Sequence, residues 1–284
     1  MCYPNLFMVW TLPSGLRRMM KQWLTEPLWE TISLLLISFP LCCTQDTYYV
    51  YITPTPDTLC PEEPCHTLSQ YGERYFQNFN SNTTLVFLPG NHLLNYTISM
   101  GTSSDFPSAT HTYQQDNPYP SLSLLGSPYQ AHSSSPPEIR SRIECTWPAG
   151  FIFSGIVDLQ INALAFISCG HNDSSALNIQ SVWNASISNC AFQNNTNGWS
   201  GSRNNGYGGA IHVHNSTLSL SRNTFHENFA YQGAVLYAST NNTLTISGNT
   251  FLNNSADQAG GALYVNVYNN LTLLDNTFQN NTVS

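Results

Sequence analysis

The sequence predicts an all-β fold, a single parallel β-helix, and two recurring phrases carry this prediction. NTFHEN, NTFLNN and NTFQNN each contain one phenylalanine and place Phe225, Phe251 and Phe278 at spacings of 26 and 27 residues. Glycine corners recur between them, and we align Gly209, Gly233 and Gly261 at spacings of 24 and 28. A unit of this length buries its apolar face only by stacking on its neighbours, which makes a solenoid.

Each repeat has apolar residues at every second position, which is the pattern of a half-buried β-strand. The phrases TLSLS, TLTIS and NLTLL all follow this alternation. A second strand follows each corner, with inward pairs assigned as Ile211 and Val213, Val235 and Tyr237, and Leu263 and Val265. Upstream, TTLVFLPGNHLL and SLSLLGS look like two irregular rungs. About seven rungs at about 4.8 Å each give a stack about 34 Å long.

The phrase F-x-x-N predicts one interior phenylalanine and one turn asparagine in each rung. The turn asparagines are Asn195, Asn228, Asn254 and Asn281. Asparagine tolerates left-handed backbone, and stacked amide side chains can hydrogen-bond from rung to rung. A weaker upstream copy has Phe166, with Cys169 in the asparagine position.

Together these phrases resemble the repeats of a known group of surface proteins. The pair G-G-A-[ILV] and F-x-x-N, as in residues 208–211 with residues 225–228, resembles repeats of chlamydial polymorphic outer-membrane proteins. More broadly, the chain is similar to pectin-lyase-like, right-handed β-helix ectodomains of animals such as sponges. The similarity covers about residues 46–284 and is strongest after 150. It implies a right-handed coil and an extracellular or surface-adhesive role, and it brings no catalytic residue with it.

The chain divides into three predicted parts. Residues 1–45 are predicted to be a signal peptide or signal-anchor, because basic residues precede an apolar run from Ile32 to Cys43. Residues 46–84 are predicted as an N-terminal cap with a short amphipathic helix from His66 to Phe76. Residues 85–284 form the β-helix, with a long loop at 101–139 and regular repeats from 150. No capping segment precedes Ser284, so we expect the β-helix to be incomplete there.

The cysteines and the Asn-x-Ser/Thr sequons fit an exported protein. Cys60 and Cys65 are predicted to close a small disulfide loop. Cys145 and Cys169 should stack on adjacent rungs, either as a disulfide or as two buried thiols. Cys190 has no evident partner. Ten sequons are candidate N-glycosylation sites: Asn82, Asn95, Asn172, Asn184, Asn194, Asn215, Asn241, Asn253, Asn270 and Asn280. An Asn- and Thr-rich turn also generates sequons by chance.

Composition and residue placement exclude several functions. Charged residues make up 8% of the chain, and lysine is absent after Lys21, which argues against nucleic-acid binding. A β-helix lyase or hydrolase needs acids, and for a lyase a base, on neighbouring rungs. No two aspartates share a rung position on adjacent turns. We therefore expect no catalytic residue and no cofactor. His212 and His214 share a strand face but lack a nearby third ligand, so we expect no metal site.

One outward stripe is the candidate ligand-binding surface. It is predicted to contain Asn178, His212, Leu236 and Tyr264, with Trp199 in the neighbouring insertion. Such a stripe suits stacking on sugar rings or docking a protein, unless the insertion folds over it. The predicted partner is an extracellular glycan or protein. Membrane contact is expected only through an N-terminal anchor or a further C-terminal segment.

The sequence therefore predicts a non-catalytic, secreted or cell-surface recognition or adhesion module. The first alternative is a secreted polysaccharide-acting enzyme, a lyase or glycoside hydrolase. The second is a structural repeat that assembles end to end.

Overall fold

The computed structural model describes most of the chain after residue 47. The described residues are 48–55, 65–68, 82–101, 121–126, 139, 141–146, 149–170, 175–198 and 206–284. Contacts divide the chain into two units, Met1–Gln45 and Asp46–Ser284. The predicted signal falls in the first unit and lies outside the described residues. The second unit is built of short β-strands in four sheets.

Sheet A is the largest sheet and contains nine strands. In spatial order they are β2 (Cys65–Thr67), β1 (Tyr48–Thr53), β3 (Thr83–Phe87), β6 (Leu122–Gly126), β9 (Asp158–Asn162), β12 (Asn184–Ser188), β16 (Thr217–Ser221), β20 (Thr243–Ser247) and β24 (Asn270–Leu274).

Sheets B, C and D form the other sides of each rung. Sheet B contains β4 (Gly90–Leu94), β7 (Ser141–Cys145), β10 (Leu164–Ile167), β13 (Ala191–Gln193), β17 (Thr224–His226), β21 (Thr250–Leu252) and β25 (Thr277–Gln279). Sheet C contains β5 (Ile98–Gly101), β8 (Phe151–Ser154), β11 (Leu177–Gln180), β15 (Ile211–His214), β19 (Leu236–Ala238) and β23 (Leu263–Val265). Sheet D contains β14 (Thr196–Asn197), β18 (Phe229–Gln232), β22 (Ser255–Ala259) and β26 (Thr282–Val283).

The chain runs through sheets C, A, B and D in turn and then begins the next rung. Strands β11, β12, β13 and β14 make one such circuit, and their counterparts in the next rung begin with β15. Neighbouring strands pair in parallel, for example β12 with β16 and β16 with β20. This arrangement confirms the predicted parallel β-helix. The seven strands of sheet A from β3 to β24 match the expected number of rungs, and β1 and β2 extend that sheet.

The core contains the inward residues of the strands, except in the last rung, where β24, β25 and β26 are exposed. Leu218 and Leu220 of β16 are at most 1% exposed, whereas the residues that alternate with them face outward. The predicted interior phenylalanines stack in sheet B with ring centroids 4.5–5.0 Å apart, in the order Phe166, Phe192, Phe225, Phe251 and Phe278. Stacked aromatic rings and alternating aliphatic residues therefore fill the interior as predicted, although Phe278 in the last rung is 47% exposed.

Asparagine ladders hold the turns between sheets, also as predicted. At the B–D turn, Asn195, Asn228, Asn254 and Asn281 stack on consecutive rungs. Each amide Oδ1 accepts bonds from the backbone N–H and side-chain Nδ2 of the asparagine on the rung before, as Asn254 does from Asn228 at 3.0 and 2.9 Å. Cys169 donates its backbone N–H to Asn195 Oδ1 at 2.9 Å, which confirms its place at the start of this ladder.

Two further ladders stabilise the other turns. The A–B ladder contains Asn223, Asn249 and Asn276, and Cys190 donates its backbone N–H to the first of them. The C–A ladder contains Asn242 and Asn269, and the backbone N–H of Ser216 donates to Asn242 Oδ1. Buried turns of this kind leave backbone groups without strand partners, and the amide side chains bond some of them.

The described cysteines are either in a disulfide or present as a buried free thiol. Cys145 and Cys169 form a disulfide with Cα atoms 4.8 Å apart, which decides between the two alternatives. Cys190 is a buried free thiol, and burial raises its pKa to about 12. Cys65 belongs to a disulfide, whereas Cys60, its predicted partner, lies outside the described residues.

Two predictions about the irregular N-terminal part need correction. His66 and Thr67 belong to β2, which pairs with β1, so the predicted helix does not begin at His66. The rest of that helix beyond Leu68 lies outside the described residues. Strand β6 lies within the predicted loop 101–139, and its Leu122 and Leu124 are buried in the core. This strand confirms the irregular rung predicted at SLSLLGS, and the predicted loop 101–139 is wrong where it includes that strand.

Candidate functional site

The outward face of sheet C forms a column that ends in aromatic residues. Strand pairing places Asn178 beside His212, His212 beside Tyr237, and Tyr237 beside Tyr264. Gln180 Nε2 donates to Asn178 Oδ1 at 3.0 Å, which holds the polar end of the column. Three of the four stripe residues predicted on strands are therefore in place.

The fourth predicted stripe residue, Leu236, is wrong, and its place is taken by Tyr237. Leu236 is 0% exposed and pairs with the inward residues Ile211 and Leu263. The predicted inward position of Tyr237 is wrong for the same reason, because the inward residues of β19 are Leu236 and Ala238. Val235, the other member of that predicted pair, is buried in the core just before β19 begins. A slip of one residue moves every side chain of a strand to its other face.

The one-residue error in the predicted register comes from the way the glycine corners are aligned by sequence. The equivalent glycines are Gly208, Gly233 and Gly260, with φ of +71°, +62° and +68°. In each, a Cβ atom would lie 2.2–2.4 Å from the carbonyl oxygen three residues further on, so only glycine fits. Gly233 therefore matches the first glycine of each Gly-Gly pair, not the second. The sequence phrase G-A-V-L has one glycine and does not show which of the two it replaces.

Tyr207, Tyr237 and Tyr264, together with His212, form what we call the tyrosine cluster. The rings of Tyr237 and Tyr264 are stacked at 5.3 Å with an interplanar angle of 1°. Tyr207 lies 4.6 Å from Tyr237, and the His212 ring meets Tyr237 edge-on at 5.3 Å. Tyr207 comes from the rung before Tyr237 and Tyr264 from the rung after it. Tyr237 is consequently only 8% exposed, whereas Tyr207 and Tyr264 are partly exposed.

Burial shifts the pKa values of two members of the cluster, His212 and Tyr237. Burial, together with the nearby charge of His214, lowers the pKa of His212 to about 4. Burial also raises the pKa of the Tyr237 phenol, an effect that its hydrogen bond to the Asn266 side chain opposes. His212 Nε2 is buried without a hydrogen-bond partner. The His212 imidazole is therefore neutral at pH 7.

Further polar residues lie near the corner between sheets D and C. Tyr207 pairs with Gln232 of β18, and Gln232 Nε2 donates to Gln258 Oε1 on the next rung. His214 Nδ1 lies 2.9 Å from Ser239 Oγ on the same side of sheet C. The predicted contributor Trp199 lies outside the described residues. Sequence reasoning missed Tyr207 and Tyr237, although an alternative corner alignment brings Tyr237 into the column.

The carboxylates of the described residues lie apart from one another. Asp158 begins β9 in sheet A and accepts a bond from Asn184 Nδ2 at 3.0 Å. Asp257 lies on β22 in sheet D, and Asp275 lies at the A–B turn. Across the described ranges, no three His, Cys, Asp or Glu side chains approach one another closely enough to hold a metal ion. Within the same residues, no helix combines the length and apolar character needed to cross a bilayer.

The parallel rungs agree with a known family. Residues 155–284 match the family model described as right handed beta helix region. This stretch is therefore similar to right-handed β-helix proteins, in agreement with its parallel strand pairing. No curated protein and no solved structure matches the chain. The right-handed coil predicted for the regular repeats is therefore confirmed, and the narrower similarity to the chlamydial outer-membrane proteins stays a prediction.

Proposed function

We propose that the protein is a non-catalytic, extracellular recognition module that docks a protein partner at the tyrosine cluster. The observation that best supports this function is the packing of three tyrosines from successive rungs at one corner of the β-helix. The β-helix itself acts as a rigid scaffold, because its strands pair in parallel and its turns are tied by asparagine ladders. Rigid, partly exposed tyrosines provide large contact areas at low entropic cost.

The ring orientation favours a protein over a sugar. A sugar ring stacks on an open aromatic face, but Tyr207 and Tyr264 approach Tyr237 from the rungs on either side. The stack therefore presents ring edges and phenol hydroxyls, next to the amides of Gln232 and Gln258. This mixture of aromatic edges and neutral hydrogen-bonding groups suits a polypeptide surface without a strong charge.

An extracellular location is supported by chemistry that persists in oxidising compartments. The Cys145–Cys169 disulfide closes adjacent rungs, and the N-terminal sequence has the pattern of an export signal. Expression of the full chain in secreting animal cells tests this part of the proposal. The expected result is intact protein in the medium, and retention of folded protein in the cytosol would contradict it.

Binding is tested with the purified full chain against a panel of extracellular-matrix proteins and a glycan array. Tyr264→Ser is expected to weaken binding to a captured matrix protein about tenfold or more, as for interface hot spots. Thr245→Ala, on the outward face of sheet A, is the matched control and should bind like the parent. Equal binding by both variants, or binding to glycans alone, would contradict the assignment. Release of new reducing ends or unsaturated sugars from acidic polysaccharides would instead favour the enzyme alternative.

A further inference from the structure

The turns contain two kinds of asparagine, and the structure separates them sharply. The described ladders contain Asn195, Asn223, Asn228, Asn242, Asn249, Asn254, Asn269, Asn276 and Asn281. None of these begins an Asn-x-Ser/Thr sequon. The reason is the strand register: the residue two positions after a ladder asparagine points inward, as Phe225 does after Asn223. A hydroxyl residue is therefore excluded from the third sequon position.

The sequon asparagines are, by contrast, on the surface. Eight of the nine sequon asparagines within the described residues are exposed: Asn95, Asn184, Asn194, Asn215, Asn241, Asn253, Asn270 and Asn280. The ninth, Asn82, is partly buried, and its Oδ1 accepts the backbone N–H of Ser121 at 3.0 Å. Asn172 lies outside the described residues. Some of the exposed amide nitrogens bond to a neighbouring surface side chain, as Asn184 Nδ2 does to Asp158 Oδ1 at 3.0 Å and Asn194 Nδ2 does to Ser168 Oγ at 3.3 Å.

The exposed sequons fall on two of the four corners of the rung. The B–D side contains Asn95, Asn194, Asn253 and Asn280, each just after a strand of sheet B. The C–A side contains Asn184, Asn215, Asn241 and Asn270, each at or just before the start of a strand of sheet A. The corner between sheets D and C, where the tyrosine cluster lies, has none among its described residues.

The A–B corner shows that turn composition alone does not explain this distribution. It begins like the B–D turn, with a left-handed residue followed by a ladder asparagine. In three successive rungs the ladder asparagine is followed by Thr224, Thr250 and Thr277. The left-handed positions there are occupied by Arg222, Gly248 and Asp275, so one asparagine in any of them would create a sequon. Where this column does contain an asparagine, Asn189, the third residue is Ala191.

We propose that the fold holds its N-glycans in two rows, along the C–A and B–D corners, and leaves the A–B corner and the tyrosine corner free of sugar. The inference rests on the export of the chain in the proposed function. The Asn Nδ2 would bond to the anomeric carbon of an oligosaccharide carried on a lipid pyrophosphate. The bond from that carbon to the pyrophosphate then breaks, and the amide nitrogen loses one proton. Sugar on the two flanking rows leaves the tyrosine corner open to a partner.

Row geometry also predicts which acceptors are filled. Neighbouring rungs are about 4.8 Å apart, so acceptors on adjacent rungs crowd one another. Asn253 and Asn280 lie on adjacent rungs at the same corner position, as do Asn215 and Asn241. Asn184 and Asn270 lie on the rungs before and after the second pair, two positions further along the turn. Asn194 has Ser168 and Glu227 as its row neighbours, so its acceptor is isolated. Asn194 should be the most completely glycosylated described site, each adjacent pair should share its occupancy, and Asn82 should be the least occupied.

The test uses the full chain, secreted from animal cells with a foreign signal peptide ahead of Met1. Glycans are removed enzymatically in heavy-oxygen water, which marks each former site for peptide mass spectrometry. High occupancy at Asn194 and shared occupancy within the adjacent pairs support the proposal. Occupancy at Asn82 equal to that at Asn194, or empty rows in the secreted protein, overturn it.

A gain-of-site variant tests whether the bare A–B corner is a property of the sequence. Gly248→Asn creates the sequon Asn-Asn-Thr at a position with φ +62°, where a Cβ meets only Arg222 Cγ at 3.8 Å. We expect one added glycan and an unchanged circular dichroism spectrum. Gly248→Asp is the matched control, which has similar left-handed tolerance and no sequon. A folded Gly248→Asn protein without added sugar would mean that the corner excludes glycans sterically and would overturn this part.

The foreign signal separates this inference from the proposed function. If the native N-terminus fails to direct export but the forced-secretion protein shows the two rows, the proposed function falls and the glycan pattern stands. If the native chain is exported without glycans in the rows, the glycan pattern falls and the proposed extracellular location stands.

Discussion

At the scale of single residues, the same amino acid has two opposite roles one position apart. In the phrase Asn253-Asn254-Ser255, the first asparagine has φ +53° and is exposed, whereas the second is buried and bonded on both sides. The buried amide satisfies backbone groups that no strand reaches, and the exposed one relieves the left-handed turn. Ladder and sequon are therefore separate consequences of one turn geometry.

Removal of a ladder amide should cost more than removal of its exposed neighbour. Asn228→Ala removes the acceptor of the Asn195 backbone N–H at 3.1 Å and the bond from Nδ2 to the Phe192 carbonyl at 3.0 Å. Each buried group left without a partner costs about 1–3 kcal/mol. Denaturant unfolding of the unglycosylated protein should show at least this loss. Asn253→Gly, at an exposed left-handed position, should change the unfolding free energy by about 0.5 kcal/mol or less.

His212 should make stability depend on pH in the acidic range. Its pKa is lowered from 6.5 to about 4 in the folded protein, so the unfolded chain binds more protons between those values. The stabilisation is present above about pH 6.5 and is lost as the pH falls toward 4. Unfolding free energies measured across this range should decline on acidification, and His212→Asn should flatten the slope. An identical slope in this variant would contradict the assignment.

At the scale of elements, the glycine corners decide which face of the following strand points inward. Gly208, Gly233 and Gly260 start equivalent turns, but the turn at Gly233 has the sequence G-A-V-L instead of G-G-A-I or G-G-A-L. The corner after sheet D also differs in length from rung to rung, with a register shift between Ala230 and Gln232. Strand pairing restores the register that the corner sequence leaves ambiguous, and this is why Tyr237 and not Leu236 faces outward.

A pair of glycine substitutions separates backbone strain from steric clash. Gly233 and Gly248 both have φ +62°, so the free-energy cost of left-handed backbone is similar for alanine at each position. At Gly233 the new Cβ would also lie 2.3 Å from the Leu236 carbonyl oxygen, whereas at Gly248 its nearest contact is at 3.8 Å. Gly233→Ala should therefore lower the unfolding free energy by about 1–3 kcal/mol more than Gly248→Ala. Equal losses would mean that the corner is not closely packed.

At the scale of the whole molecule, each rung contacts only the rungs next to it. The phenylalanine stack, the three ladders and the four sheets all pass from one rung to the next in the same register. Such a solenoid behaves as a row of similar units whose stabilities and interfaces add. Function then depends on what particular rungs place side by side, as at the tyrosine cluster.

Deletion of one complete rung should preserve the fold. Removal of Thr224–Asn249, 26 residues, joins Asn223 to Thr250 and lets β21 stack on β13 in the native register. The protein should keep its β-sheet circular dichroism, unfold at a lower temperature, and lose binding because Tyr237 is removed. Deletion of Thr224–Thr250, one residue longer, turns Phe251 outward and should give aggregated or unfolded protein. If both deletion variants folded equally well, the fold would not depend on strand register, which would contradict this prediction.

The β-helix, its core phenylalanines and its asparagine ladders follow from sequence alone, because period-two alternation and identical repeats are local and recur in every rung. The Cys145–Cys169 disulfide follows only as one of two alternatives, since spacing places the residues without closing the bond. The outward aromatic column and the distribution of sequons among four corners depend on how corners of unequal length are paired. That pairing is fixed by the hydrogen bonds between rungs, which form only in the folded solenoid. The tertiary structure therefore decided which tyrosines come into contact.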